Sequence, residues 1–189
     1  MKNSRAEMLN KKASDPKAKP DRIIESLKIK TNDIIADIGA GGGYYALRFA
    51  EIVGKQGKVY AIDSNPDMLV IINDESKKAE FNNIITVPAA DMKSVLKLAE
   101  LDLIFVRNTY HHLENRINYF TDLKSYLKPN GKVAIIEYKP AGSIFSFHRF
   151  CGHQVKPNII ISEMQQAEYK VIESFDFLRE QSFTIFGLK

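Results

Sequence analysis

Several polar side chains in this chain stand just beyond short apolar runs: Asp37, Asp63, Asp91, Asn108, His111 and His112. The first of them opens the pattern Asp37-x-Gly39-x-Gly41-x-Gly43, within IIADIGAGGGYYALRFA at 34–50. A strand that feeds a helix through glycines leaves free backbone N–H groups at the helix start, where an anionic group can approach the main chain. Gly39, Gly41, Gly42 and Gly43 also remove the Cβ atoms that would hold a ligand off. Asp37 sets a contrary demand, because a carboxylate there suits a ligand with a positive amino group and repels a pyrophosphate. The dinucleotide fingerprint G-x-G-x-x-G is not met, since its third glycine falls on Tyr44. Asp63 is placed to accept two hydrogen bonds from a ribose diol, and Asp91 to accept one from an adenine amino group. Each acid also has a purely structural reading. Acids at strand ends cap the next helix, and Asp37 can accept from the N–H groups of its own turn. Asn65 already offers a cap beyond Asp63, which leaves that carboxylate for other work.

The elements that must position these groups read as an alternation of strands and helices. Strands are expected at 34–38, 58–62, 84–87, 102–107 and 132–138, as short apolar runs rather than alternating ones. Such runs suit a parallel sheet covered by helices on both faces. Helices are expected at 21–27, from Tyr44 to about Val53, from Asn65-Pro66-Asp67 to about Glu80, and at 114–127, the last closed by Pro129-Asn130-Gly131. Residues 92–100 hold a short helix or a loop. After 139 the rhythm breaks: 139–157 shows no clear period, 158–167 reads as helical, and strands at about 171–177 and 182–187 form a hairpin. That hairpin adds an antiparallel element to an otherwise parallel sheet.

With 189 residues, 44% of them hydrophobic, the chain suits one globular domain with a sizeable core. We divide it into a basic N-terminal arm, 1–20, and a single domain, 21–189. The net charge of +4 is concentrated at the start, where Lys2, Arg5, Lys11, Lys12, Lys17, Lys19 and Arg22 face three acids. The arm reads as loosely attached, with one helix around 4–12. No aromatic residue is interleaved there for base stacking. One cysteine, Cys151, excludes an internal disulfide and fits a reducing compartment. No apolar run has the length to span a bilayer, and no apolar core follows the N-terminal lysines as in a secretory signal. A cytoplasmic protein is expected, with no membrane partner.

Taken together, Asp37-x-Gly39-x-Gly41-x-Gly43, Asp63 followed by Ser64-Asn65-Pro66-Asp67-Met68-Leu69, Ala90-Asp91, and Leu127-Lys128-Pro129-Asn130-Gly131 resemble class I S-adenosylmethionine-dependent methyltransferases. The likeness is to the small-molecule branch that includes ubiquinone/menaquinone-biosynthesis and arsenite methyltransferase-like enzymes, and it covers roughly residues 20–138. It implies a Rossmann-like, doubly wound α/β fold whose seven-stranded sheet has the order 3-2-1-4-5-7-6, with strand 7 antiparallel. It also implies S-adenosyl-L-methionine as cofactor. The turn Gly39, Ala40, Gly41 and Gly43 would lie against the methionyl moiety, and Asp37 would support its amino group. Asp63 would bind both ribose hydroxyls, and Ser64 and Met68 beyond it would also belong to the cofactor site. Asp91 would take the adenine amino group with Met92 beside the ring, and Asn108 would offer its backbone carbonyl to the ammonium.

Methyl transfer from a sulfonium is an in-line displacement, so the enzyme's main task is to orient a nucleophile in a dry site. A general base is needed only where the nucleophile must lose a proton. His111 and His112 follow the fourth strand, and His148 and His153 lie in the irregular segment; Tyr110, Glu137, Tyr138 and Arg149 join them as candidates to line an acceptor pocket. His111 and His112 are the leading candidates for a catalytic base or orienting group. The structural alternative has one packing under the next helix while the other caps it or faces water. The run 144–150, with three phenylalanines and a His-Arg pair, is either a lid or an amphipathic helix filling core. His148, Cys151 and His153 match no common zinc spacing, so no metal is expected. Asn108-Thr109-Tyr110-His111 lacks the two prolines and terminal aromatic of the amino-methylating DNA enzymes, which disfavours nucleic acid as the acceptor. An arsenic acceptor is disfavoured by the single cysteine. The expectation is therefore a small-molecule methyltransferase. The alternatives are a non-catalytic cofactor-binding sensor or scaffold and, further off, an RNA methyltransferase. A homodimer is one assembly the sequence leaves open.

Overall fold

The computed structural model describes residues 2–140 and 154–189. Two helices precede the sheet, α1 (Lys2–Ser14) and α2 (Pro20–Leu27). The alternating part runs β1 (Ile34–Ile38), α3 (Tyr44–Val53), β2 (Lys58–Asp63), α4 (Pro66–Lys78), β3 (Ile84–Pro88), α5 (Met92–Val95), β4 (Leu101–Arg107), α6 (Arg116–Leu123) and β5 (Leu127–Tyr138). The chain ends with α7 (Pro157–Gln166), β6 (Tyr169–Phe175) and β7 (Gln181–Leu188). The seven strands form one sheet in the order β3-β2-β1-β4-β5-β7-β6. β7 pairs antiparallel with both β5 and β6, and the other pairings are parallel. The expected sheet order and the antiparallel seventh strand are both present.

β1, β2, β4, β5 and β7 bury both faces, as their continuous apolar runs require, whereas the edge strands β3 and β6 are largely exposed. Ile35, Val59, Ala61, Leu103, Phe105, Ala134 and Ile136 pack with α2, α3 and Ile72 of α4. Ala36, Ile38, Ile62, Ile104, Val106, Val133 and Ile135 pack with residues of α5, α6 and α7. The period of two therefore sends Asp37 and Arg107 toward the α3 side, in line with Ile35 and with Leu103 and Phe105. Glu137, in line with Val133 and Ile135, points toward α6 and α7.

Three boundaries differ from the sequence reading. The expected helix at 114–127 is only α6 plus a 3₁₀ turn at Lys124–Tyr126, and β5 begins at Leu127 rather than 132. Pro129-Asn130-Gly131 is thus an irregularity inside a strand: pairing steps from Leu101–Leu127 to Leu103–Lys132. A Cβ on Gly131 would stand 2.8 Å from the carbonyl oxygen of Leu101, so glycine is what lets the strands close up there. The last hairpin begins earlier than expected, at Tyr169 and Gln181. The third difference is α1, which is longer than the expected 4–12 helix and is docked: Ala6 and Ala13 are buried. The run 144–150 and the His148, Cys151 and His153 grouping, with Arg149, lie outside the described residues. Among the described residues no helix is long and apolar enough to cross a membrane.

Candidate active site

The sheet order reverses at β1, which lies between β2 and β4, and open α/β sheets take their ligands beyond the carboxyl ends of the strands at such a point. A cavity of about 690 Å³ lies there. The turn from Asp37 to Gly42 lines it, with Asp63 to Asn65 after β2 and Arg107 to Thr109 after β4. Of the residues singled out in the sequence, Asp37, Gly39, Ala40, Gly41, Asp63, Ser64, Met68, Asn108 and His112 come together on this cavity. Gly43, Asp91, Met92 and His111 are not in its lining. Asp91 is exposed, two residues beyond the lining residue Ala89, and Met92 is buried in the core beside Tyr119.

The turn is held by bonds that run across it. The N–H groups of Gly39 and Ala40 both donate to the Ile62 carbonyl, at 2.8 and 3.0 Å, and Gly43 N–H donates to the Ala40 carbonyl at 2.9 Å. Gly41 N–H donates to Oδ2 of Asp63 at 2.8 Å, while Asn65 N–H donates to Oδ1 at 2.9 Å. Asn65 is the helix cap, its side chain accepting from Asp67 N–H at 3.0 Å. Gly39 has φ +78°, and a Cβ built on it would lie 2.0 Å from Oγ1 of Thr109. Glycine is thus required there twice over, by conformation and by the closeness of β4. Gly43, with φ +87°, faces Ile72 instead of the cavity, so its role is packing.

Asp37 is almost fully buried, and its Oδ2 has no hydrogen-bond partner. The turn N–H groups that it was free to accept from go to Ile62, Asp63 and Ala40 instead. Burial pushes its carboxyl up to about 7; Asp63 adds to the shift and Arg107 opposes it. A buried carboxylate oxygen with no donor is costly, and a cationic donor in the cavity would relieve that cost. Arg107, a residue the sequence reading passed over, lies with its guanidinium 5.3 Å from the Tyr45 ring centre, and its buried Nε is also unpartnered. The signal available for it was a charged residue at the end of an apolar strand.

After β4 the chain passes through Asn108, which has φ +54°. Its backbone N–H donates to the Ile136 carbonyl at 2.8 Å, and its side-chain oxygen accepts from Gln181. The 3₁₀ turn Tyr110–His112 follows. Tyr110 is fully buried and turned away from the cavity, with its ring stacked on Phe120 and its hydroxyl donating to Glu163 at 2.6 Å. Arg116 grips the same carboxylate through Nε and a terminal nitrogen, both at 2.8 Å. This arginine is the main cause of the lowered pKa of Glu163. The pair ties α6 to α7 and anchors the turn carrying the two histidines. Nδ1 of His111 lies 2.9 Å from Oε2 of Glu137, and its Nε2 lies 3.0 Å from Nε2 of His112. Glu137 is fully buried and the His111 ring nearly so, whereas His112 reaches the cavity. Among the described residues no group of three or more His, Cys, Asp or Glu is arranged to hold a metal ion.

The remaining wall comes from α1, through Arg5, Leu9, Asn10 and Ala13. Nδ2 of Asn10 donates to the Gly42 carbonyl at 2.8 Å, and its Oδ1 accepts from Tyr44 N–H at 3.2 Å. Asn10 therefore caps α3 from another helix, since Gly43 at the cap position has no side chain.

A family model described as a methyltransferase domain matches residues 29–177. A ubiquinone/menaquinone biosynthesis C-methyltransferase of Neisseria meningitidis is 24% identical over 151 residues, spanning 77% of this chain and 61% of that protein. A protein-L-isoaspartate O-methyltransferase of Methanococcus aeolicus is 29% identical over 111 residues, or 59% of this chain and 49% of the other. The chain thus spans about half the length of these curated relatives. A crystal structure of a SAM-dependent methyltransferase from Aquifex aeolicus superposes with a TM-score of 0.82 at 22% identity, covering 95% of this chain and 96% of that one. At that identity the likeness speaks for the fold.

Proposed function

The chain belongs to the methyltransferase-domain family, and on that premise we propose that it is an S-adenosylmethionine-dependent methyltransferase acting on a small-molecule acceptor. The observation that carries the proposal is Oδ2 of Asp37, buried and without a donor at the edge of a glycine turn. The methionyl ammonium supplies the cationic donor that this oxygen lacks, and the Asn108 carbonyl is assigned to the same group. Gly39 and Gly41 leave the main chain of the turn bare on either side of Ala40, and the methionyl chain of the ligand is assigned to lie against it. Asp63 spends one acceptor site of each oxygen on a backbone N–H, and the other sites are assigned to the ribose hydroxyls. The adenine is assigned to the end bounded by Met68 and Ala89, with Asp91 just beyond to accept from its amino group.

When bound, S-adenosylmethionine supplies a methyl carbon on a sulfonium; the nucleophile's lone pair forms the new bond, the carbon–sulfur pair stays on sulfur, and any proton on the nucleophile is released. The chain's own share is orientation and exclusion of water, with α1 covering the turn and the His112 side of the cavity left for the acceptor. The relatives' names span O-methylation of protein isoaspartate and C-methylation in quinone biosynthesis, so no acceptor atom is carried over. A cavity of about 690 Å³ is of the size class that takes a cofactor with a small second substrate.

Calorimetry with S-adenosylhomocysteine tests the cofactor, and incubation of the protein with methyl-labelled S-adenosylmethionine and a metabolite extract tests turnover. Uptake with label transfer is expected. Uptake without transfer favours a sensor or scaffold, and no uptake at all removes the assignment.

A further inference from the structure

We propose that Arg107 and Tyr45 bind the carboxylate of the methionyl group while Asp37 binds its ammonium, so that the cavity selects its cofactor by a zwitterionic amino-acid end. The inference rests on the methyltransferase reading above and adds to it two specificity-determining residues.

Among the described residues four buried side-chain atoms have no hydrogen-bond partner, and three of them belong to one spot: Oδ2 of Asp37, the hydroxyl of Tyr45 and Nε of Arg107. All three residues line the cavity. The topology gathers them. β1 and β4 run parallel with Asp37 opposite Phe105, so Arg107, the last residue of β4, projects from the same face of the sheet. Tyr45, in the first turn of α3, packs on that side, its ring centre 4.9 Å from that of Phe105 and 5.3 Å from the Arg107 guanidinium carbon.

Each unpartnered atom destabilises the ligand-free fold, and an acid and a base this near each other would relieve the strain by pairing. Asp37 and Arg107 do not pair, although the guanidinium is close enough to oppose the rise of the Asp37 carboxyl. Burial pushes the Tyr45 hydroxyl up to about 12, so it keeps its proton and is free to donate. The spot therefore offers one anionic acceptor beside two donors, one of them cationic. An ammonium alone suits only Asp37, and an anion alone suits only Arg107 and Tyr45. A zwitterion suits all three. In an α-amino acid the two charged groups sit on one carbon, which matches neighbours on adjacent strands about 4.8 Å apart. Arg5, the other arginine on the cavity, is exposed on α1, where an ion pair contributes little.

Calorimetry with S-adenosylhomocysteine and with its decarboxylated counterpart, which keeps the ammonium and lacks the carboxylate, tests the assignment. The parent protein should bind the complete ligand at least about tenfold more tightly, through its charge-assisted hydrogen bonds. Arg107→Met should bring the two affinities within about twofold by weakening the complete ligand alone, and Arg107→Lys should recover part of the preference. Tyr45→Phe should narrow the preference about threefold without lowering the unfolding temperature of the ligand-free protein, because the hydroxyl it removes has no partner there. In ¹⁵N spectra of the parent, which need no variant to fold, the Arg107 Nε–H resonance should move further with S-adenosylhomocysteine than with the decarboxylated ligand. Equal affinity of the parent for the two ligands overturns the proposal. So does a preference that survives Arg107→Met, or one that is lost in Arg5→Met with Arg107 intact. Failure of the parent protein to bind either ligand is a separate result, which removes the methyltransferase reading itself.

Discussion

The backbone N–H of Gly41 donates to Oδ2 of Asp63 across 2.8 Å, tying the turn after β1 to the end of β2. One carboxylate thus shapes the loop and also faces the ligand cavity. Asp63→Ala should lower the unfolding free energy by about 1–3 kcal/mol through two lost backbone bonds, and S-adenosylhomocysteine affinity by a similar amount through the lost ribose contacts. Urea denaturation and calorimetry separate the two effects. A loss of stability with unchanged affinity would leave Asp63 as a loop anchor only.

Asp37 ties ligand binding to pH. Its native pKa of about 7 lies above the ordinary value of 3.8. Between those values the native state holds a proton that the unfolded chain has released, so stability falls as pH rises from about 4 to about 7. Asp37→Asn should remove that slope and raise the unfolding free energy at pH 7.5 by an amount on the order of 1–3 kcal/mol. The same substitution should weaken S-adenosylhomocysteine binding. In the parent protein, binding at pH 6 should release a proton, measured by calorimetry in buffers of different ionisation enthalpy. No proton release would argue against an ammonium beside this carboxylate.

Asn10 caps α3 through Tyr44 N–H and holds the Gly42 carbonyl. Asn10→Ala should cost about 1–2 kcal/mol of stability, in the range of a lost N-cap. It should also weaken S-adenosylhomocysteine binding, because the same bonds set the glycine turn. Thermal unfolding with and without S-adenosylhomocysteine checks both. An unchanged ligand-induced shift would show that α1 stabilises the fold without shaping the site.

Gly39→Ala should be among the most damaging single changes, by at least about 2 kcal/mol, since it combines a left-handed φ with a Cβ 2.0 Å from Thr109 Oγ1. Thr109→Ala in the same chain should recover only part of the loss. Removing Oγ1 and Cγ2 relieves two contacts, but the Thr109 Cβ itself would still stand 2.8 Å away. A double-mutant cycle read by urea denaturation gives the split. Additive effects of the two changes would contradict the packing described.

The chain by itself determined the inner strands, most of their helices and the glycine turn, because these depend on local patterns, while the sheet order came from the family resemblance. Runs such as Ile34–Ile38 and Leu101–Arg107 are apolar on both faces wherever they are placed, and Gly39 and Gly41 are needed for their own backbone angles. The misplaced start of β5 came from reading Pro129-Asn130-Gly131 as a helix stop, when its glycine answers to the Leu101 carbonyl on a neighbouring strand. α1 read as a loose arm because its charges dominate, although Ala6, Leu9 and Ala13 already mark one narrow apolar stripe. What only the tertiary structure decided is which groups meet. Asn10 finds its partners 32 and 34 residues away, and His111 finds Glu137 at a separation of 26 residues. Both meetings depend on strand order and register, which no local pattern of residues contains, since a hydrogen bond forms only where the fold brings donor and acceptor within about 3 Å.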